Sequence, residues 1–166
     1  MFLESRCRSA WIACVRSLLC LVAVVFLGAC SDSPETLTVK QFQVRDQVRN
    51  PSDNPMVRME KQRRLRGAVS MEERRQRLGQ YYTVRWNDPA GAGQGDVKVV
   101  FLYQQGATAS RVKRMTRSFS SSSTSGAADF AIIGDDYFNG GKVLAWKAVV
   151  TRGDRELASR QSYLWQ

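Results

Sequence analysis

The chain has 166 residues, a net charge of +10, 25 Lys and Arg against 15 Asp and Glu, four cysteines and no histidine. That length suits one modest domain, large enough to bury about two-thirds of its unfolded surface without covalent staples. Without histidine the commonest general base is missing, and this weighs against an enzyme from the outset.

The first element is the apolar run Leu18 to Cys30, preceded by Arg6, Arg8 and Arg16 and ending in small residues before a cysteine. This is the three-part layout of an export signal. An uncleaved membrane helix is the weaker reading, because about 20 apolar residues are needed and extending the run backwards places Arg16 inside, at ~2.5–3.5 kcal/mol near the bilayer centre. An ordinary secretory signal leaves the position of the cysteine unexplained. Leu27, Gly28, Ala29 and Cys30 resemble the lipobox of bacterial prolipoproteins. The resemblance implies a diacylglyceryl group on the Cys30 thiol, cleavage just before it, and stable anchoring through two or three acyl chains such as palmitate. Ser31, where an aspartate would imply retention at the inner membrane, implies an outer-membrane protein facing the periplasm.

The chain then divides into a signal peptide (1–29), a short polar tether (30–35) and a domain (36–166). Processing leaves 137 residues with a charge of +8. Cys7, Cys14 and Cys20 leave with the signal and Cys30 becomes the lipid site, so the mature domain has neither a disulfide nor a free thiol.

Thr36 to Asp46 reads as a strand. Leu37 and Val39 lie on one parity and Phe42 and Val44 on the other, which predicts a bulge near Lys40 or Gln41. Asn50 to Pro55 reads as a turn cluster. The stretch from Arg58 to Arg77 carries Arg58, Lys61, Arg63, Arg64, Arg66, Arg74, Arg75 and Arg77 against Glu60, Glu72 and Glu73. Ser70 with Glu73 forms a capping box, predicting a connector helix over Met71 to Leu78 that stops at Gly79. Tyr82, Val84 and Trp86 share one face of the next strand, which ends at Asn87-Asp88-Pro89. Val97 to Tyr103 is apolar on both parities and reads as a central strand. Ser110 to Phe119 and Ala128 to Ile133 read as strands flanking a serine-rich loop. Asn139-Gly140-Gly141 reads as a hairpin turn into Lys142 to Val150, with Leu144, Trp146, Ala148 and Val150 on one face. Arg152-Gly153-Asp154 turns into a last strand, Glu156 to Trp165. About seven short strands with glycine-rich turns and one connector helix predict an all-β, antiparallel β-sandwich resembling the immunoglobulin and fibronectin type III class.

Three motifs weigh little. Ser110-Arg111-Val112-Lys113 spells S-x-x-K, but in a β-patterned stretch residues three apart point to opposite faces, and neither partner motif occurs. Asp135-Asp136 has no calcium-loop spacing around it and reads as a polar turn. The Arg152-Gly153-Asp154 tripeptide is explained by the turn it must make. No catalytic residues, metal ligands or cofactor emerge.

The expected function is that of a non-enzymatic binding or structural module of the cell envelope, membrane-bound through its lipid. An accessory subunit of an envelope enzyme or assembly complex is the alternative. The basic stretch is either a solvated face or a patch for anionic lipid, cell-wall polymer or an envelope protein. Nucleic acid is not expected, because an exported lipoprotein meets little of it. Replacing Cys30 by Ser is expected to abolish labelling by a radioactive fatty acid and to leave an uncleaved precursor; acyl label on that variant would refute the lipobox reading.

Overall fold

A computed structural model describes residues 35–45, 54–91, 93, 95–108 and 110–166. The lipobox, Cys30, the tether as far as Pro34 and positions 50–53 of the turn cluster lie outside the described residues. Within the compact unit Glu35–Gln166, the elements are β1 (Leu37–Val44), α1 (Pro55–Leu65), α2 (Met71–Arg75), β2 (Gly79–Asn87), β3 (Val97–Gln105), β4 (Lys113–Phe119), β5 (Ser125–Ile133), α3 (Gly134–Gly140), β6 (Val143–Arg152) and β7 (Arg155–Gln161). Sheet A has the order β1-β2-β5 and sheet B the order β4-β3-β6-β7, with every pairing antiparallel. This is an immunoglobulin-like sandwich in which the fourth strand joins the third, rather than the sheet of the first, second and fifth.

The core lies between the sheets. Tyr82, Val84 and Trp86 of β2 and Ala128, Phe130 and Ile132 of β5 face Val97, Val99, Phe101 and Tyr103 of β3 and Ala148 and Val150 of β6. Phe101 sits at its centre, 4.7 Å from the ring of Tyr82, 5.1 Å from Phe130 and 6.1 Å from Trp146. Such ring pairs add about 0.5–1.5 kcal/mol each beyond the area they bury.

Several expectations are corrected. First, β1 has no bulge, because its register against β2 runs unbroken from Leu37↔Trp86 to Val44↔Gly79. Its parity switch reflects two cores. Leu37 and Val39 face the sandwich interior, while Phe42 and Val44 face outward into a second cluster with Leu65, Leu78 and Tyr81. Second, there are three helices rather than one. The connector helix is Met71–Arg75, shorter than expected, and its capping box forms as read: Glu73 N donates to Ser70 Oγ (3.1 Å) and Ser70 N to Glu73 Oε2 (2.9 Å). Gly79 does not cap it; it opens β2.

Third, Asn139-Gly140-Gly141 closes α3 instead of turning a hairpin. Gly141, at φ +78°, donates its N–H to Tyr137 O. A left-handed glycine serves a hairpin turn and a helix end alike, so the local signal cannot separate them. Gly140 is required for a different reason, since a Cβ there would lie 2.5 Å from the buried Gln105 amide. Fourth, Leu144 is 53% exposed. The β3–β6 register slips between Gln104↔Ala145 and Gln105↔Val143, which turns Leu144 outward and brings Val143 in. The last strand also ends early, at Gln161.

With no disulfide in the described residues, one end of the sandwich is held by a buried ion pair. Arg152 Nε donates to Asp88 Oδ2 at 2.8 Å, and the two side chains are only 3% and 2% exposed. The other guanidinium nitrogens donate to the carbonyls of Ser121 (2.8 Å) and Ser123 (2.6 Å), and the Ala90 N–H donates to Asp88 Oδ1. Three connections therefore converge on one guanidinium. The Gly153-Asp154 turn joins β6 to β7 as expected, and burial of Arg152 withdraws it from any partner that reads the tripeptide. Arg152→Ala leaves the buried Asp88 carboxylate with only the Ala90 N–H and the exposed Arg155, which donates to Oδ2 at 3.3 Å, and is expected to cost ~3 kcal/mol in urea unfolding. Asp154→Ala in the exposed turn is expected to stay within ~0.5 kcal/mol of the parent.

Candidate functional site

The chain between β1 and β2 makes a helical excursion over the outer face of sheet A. Asn54 caps α1 by accepting from Met56 N at 2.9 Å, and Pro55 stands at its first turn, where the missing N–H costs nothing. The apolar residues of α1 form no stripe, so hydrophobic periodicity is silent about it. The cap, the proline and the Glu60 pairs with Arg63 and Arg64 are the local signals that could have found it.

The excursion is fastened by its arginines. The Arg64 side chain, 12% exposed, donates from Nε to Glu60 Oε1 (2.8 Å), approaches Asp129 Oδ1 of β5 (3.8 Å), and lies 4.5 Å from the centre of the Tyr81 ring of β2. Thr83 Oγ1 donates to Asp129 Oδ1 at 2.5 Å, which orients that carboxylate. Arg63 forks onto Glu60 with bonds of 2.8 and 2.6 Å. Arg74 donates to Ala68 O, and Arg77 to Arg66 O. Arg75 pairs with Glu72 (3.6 Å) and covers the Phe138 ring of α3 at 4.4 Å.

The eight basic residues of the stretch thus divide. Arg64, Arg74 and Arg77 are half-buried and turned onto the protein's own groups; Arg63, Arg66 and Arg75 are exposed; Arg58 and Lys61 are half-buried and engaged in contacts of their own. Between α1 and sheet A runs a groove of about 550 Å³ whose basic walls are Lys40, Arg63, Arg64 and Arg85, with Glu60 and Asp129 opposing them. Met56 (72% exposed) and Met59 (63%) line a second, shallow depression on α1 with Arg66 and with Glu60 and Arg63, which border the groove as well. Val57, Val69 and Met71 are exposed on the same excursion. Exposed apolar residues interleaved with cations are the feature that the reading by charge alone missed.

A second polar cluster joins α3 to sheet B. Asp136 accepts from Lys113 Nζ (2.5 Å) and from the Tyr103 hydroxyl (3.2 Å), and burial, the charge of Asp136 and this bond push Tyr103 up to about 12. Buried Gln105 donates to Asp136 O and Gly141 O. Lys113 of the S-x-x-K match is thus engaged by a carboxylate, and Asp135-Asp136 begins α3 rather than forming a loop turn. Among the described residues, no three His, Cys, Asp or Glu side chains come together as a metal site.

No protein-family model, curated protein or solved structure matches this chain.

The hydrogen bond from Arg63 lowers the pKa of Glu60 most; burial opposes it, and the Arg64 bond and both guanidinium charges bring the carboxyl to about 2. An unfolded glutamate titrates near ~4.3, so the contribution of Glu60 is full above that pH and is lost as the pH falls through about 2. Glu60→Gln is therefore expected to lower stability at neutral pH, with the gap to the parent closing between ~4.3 and about 2 in acid-titrated urea melts. A gap independent of pH would show that the pairs do not stabilise the fold.

Proposed function

We propose that this chain is a lipid-anchored, non-enzymatic binding module of the bacterial cell envelope, held at the outer membrane facing the periplasm, whose helical excursion rests on an anionic surface. The solvent face of α1 carries the reading: Met56 and Met59 stand beside Arg63 and Arg66. Methionine side chains adapt to irregular apolar surroundings, and cations near an anionic bilayer contribute ~1 kcal/mol each. The lipobox supports the tether, as does the start of the compact unit at Glu35, separated from Cys30 only by Ser31, Asp32, Ser33 and Pro34. Anchor and patch would then act on one surface, and the second contact gains from the high local concentration that the first creates.

Salt dependence tests the patch apart from the anchor. A soluble chain beginning at Ser31 is expected to bind vesicles of anionic phospholipid at ~0.01 M salt and to leave them near ~0.1 M, as the Debye length falls from ~30 to ~10 Å. Arg63→Gln with Arg66→Gln should weaken low-salt binding and flatten the salt dependence. Met56→Ser with Met59→Ser should weaken binding without altering the slope. Equal binding to neutral vesicles, or none at ~0.01 M salt, would reject the anionic surface.

A further inference from the structure

The four sheet edges of this sandwich are not protected alike. β4 carries Lys113, Arg114 and Arg117 within seven residues. β7 carries Arg155, Glu156 and Arg160 and a register shift. β1 is bridged to β7 where Arg160 donates to Glu35 and to Leu37 O. Charges, bulges and covering groups of this kind are what keep sheet edges from pairing with other chains. β5 has no bulge, no cation and no group bridging its outward backbone among the described residues. Its sequence, SGAADFAII, holds one charge and no proline, and its register against β2 runs unbroken over nine residues.

The register also fixes which backbone groups are free. Asp88 N donates to Thr124 O and Gly134 N to Leu78 O, at the two ends of the β2–β5 ladder. In an antiparallel pair, hydrogen-bonded positions alternate. Gly126, Ala128, Phe130 and Ile132 therefore turn their N–H and C=O groups to β2, while Ala127, Asp129 and Ala131 turn theirs to the open side. No backbone hydrogen bond joins them to β4 among the described residues. These three residues are exposed, and two of them are alanines that leave room for a neighbouring backbone.

Between β5 and β4 lies a cleft of about 350 Å³, lined by Asp129, Phe130 and Ala131 on one side and by Met115, Thr116 and Arg117 on the other. Arg117 pairs in register with core-facing Val99 and so shares the inner face of sheet B with Met115. It is exposed and has no ion-pair partner among the described residues.

We infer that the free edge of β5 is a strand-addition site that takes an extended, acidic segment of a partner protein. Such a segment extends sheet A by one strand through the N–H and C=O groups of Ala127, Asp129 and Ala131. Alternate side chains then lie beside Ala128 and Phe130, above the cleft, where an apolar residue meets Met115 and an acidic one meets Arg117. A second copy of this chain fits poorly, because joining two β5 edges also brings together two β4 edges, each with three cations. The site does not involve the lipid anchor, and it adjoins the excursion, whose Arg64 reaches the Asp129 side chain on the outer face of sheet A while the outward backbone groups lie along the edge.

The test uses the full chain in detergent micelles and a nine-residue peptide with valine and glutamate alternating on one face and serine and threonine on the other. Amide hydrogen exchange is expected to slow at Ala127, Asp129 and Ala131 when the peptide is added. A peptide N-methylated at every second amide, or one with lysine for glutamate, should bind at least about tenfold more weakly. Ala131→Pro removes one outward N–H while sparing the ladder to β2, and should weaken binding by about tenfold. Arg117→Glu, on an exposed side chain, leaves the fold intact and should exchange the preference for glutamate for one for lysine. No protection by peptide at ~1 mM, protection confined to other amides, or equal binding of the N-methylated peptide would overturn the proposal. A dimer whose three amides are already protected without peptide would overturn it too, in favour of a second copy.

Discussion

Sheet A is buried on its inner face and again at one end of its outer face, and most of what is particular to this protein follows from that constraint. A three-stranded sheet with one face in the sandwich core would ordinarily turn polar side chains outward. Here Phe42, Val44 and Tyr81 point out, and with Leu65 and Leu78 they make a second small core that only the helical excursion can cover. Leaving those side chains in water would forgo roughly 25 cal/mol for each Å² of apolar surface that the excursion buries. The excursion itself buries no residue within α1 or α2. It is fixed by Leu65 and Leu78 at its margins and by Arg64 between Glu60, Asp129 and the Tyr81 ring. Cationic side chains thus serve as fasteners here, with their stems as packing material.

The polar contacts inside the domain take the place that disulfides hold in many exported sandwiches. Asp88 with Arg152 ties three connections at one end of the sandwich. At the other end Gln80 Oε1 accepts from Val143 N at 2.6 Å, and Gln105 holds α3 through two carbonyls. Burial raises the pKa of Asp88, but the Arg152 and Ala90 hydrogen bonds and the charges of Arg152 and Arg155 outweigh it and hold the carboxyl below its ordinary range. A buried pair of this kind contributes little over an apolar substitute, yet it fixes one geometry, because each partner left alone is a buried charge.

The two surfaces proposed for partners differ in physical character. The α1 face offers charge and adaptable apolar side chains to a broad anionic surface, with no demand for sequence. The β5 edge offers directed backbone hydrogen bonds and a narrow cleft, which select conformation first and side chains second. On the proposed reading, a module that settled on a bilayer through the first would leave the second open to a protein.

Period-two alternation made β2 and most of β6 legible, since burial between two sheets imposes it directly on their residues, while β3 was legible as a short run apolar on both parities. The capping box at Ser70 and the turn at Gly153 were legible because their determinants lie within four residues. What could not be read depended on groups distant in sequence. The switch of parity in β1 looks the same whether a bulge or a second core causes it, and only the position of Leu65 and Leu78 over the sheet decides. The glycines at 140 and 141 suit a hairpin or a helix end, and only the passage of the chain from sheet A to sheet B selects the helix. The division of the arginines into fasteners and exposed cations, and the absence of a strand beside β5 among the described residues, are likewise set by which elements meet. Local sequence determined the strands and caps because their energetics are local; tertiary structure alone decided the faces, the edges and the free charges, because each is defined by what packs against it.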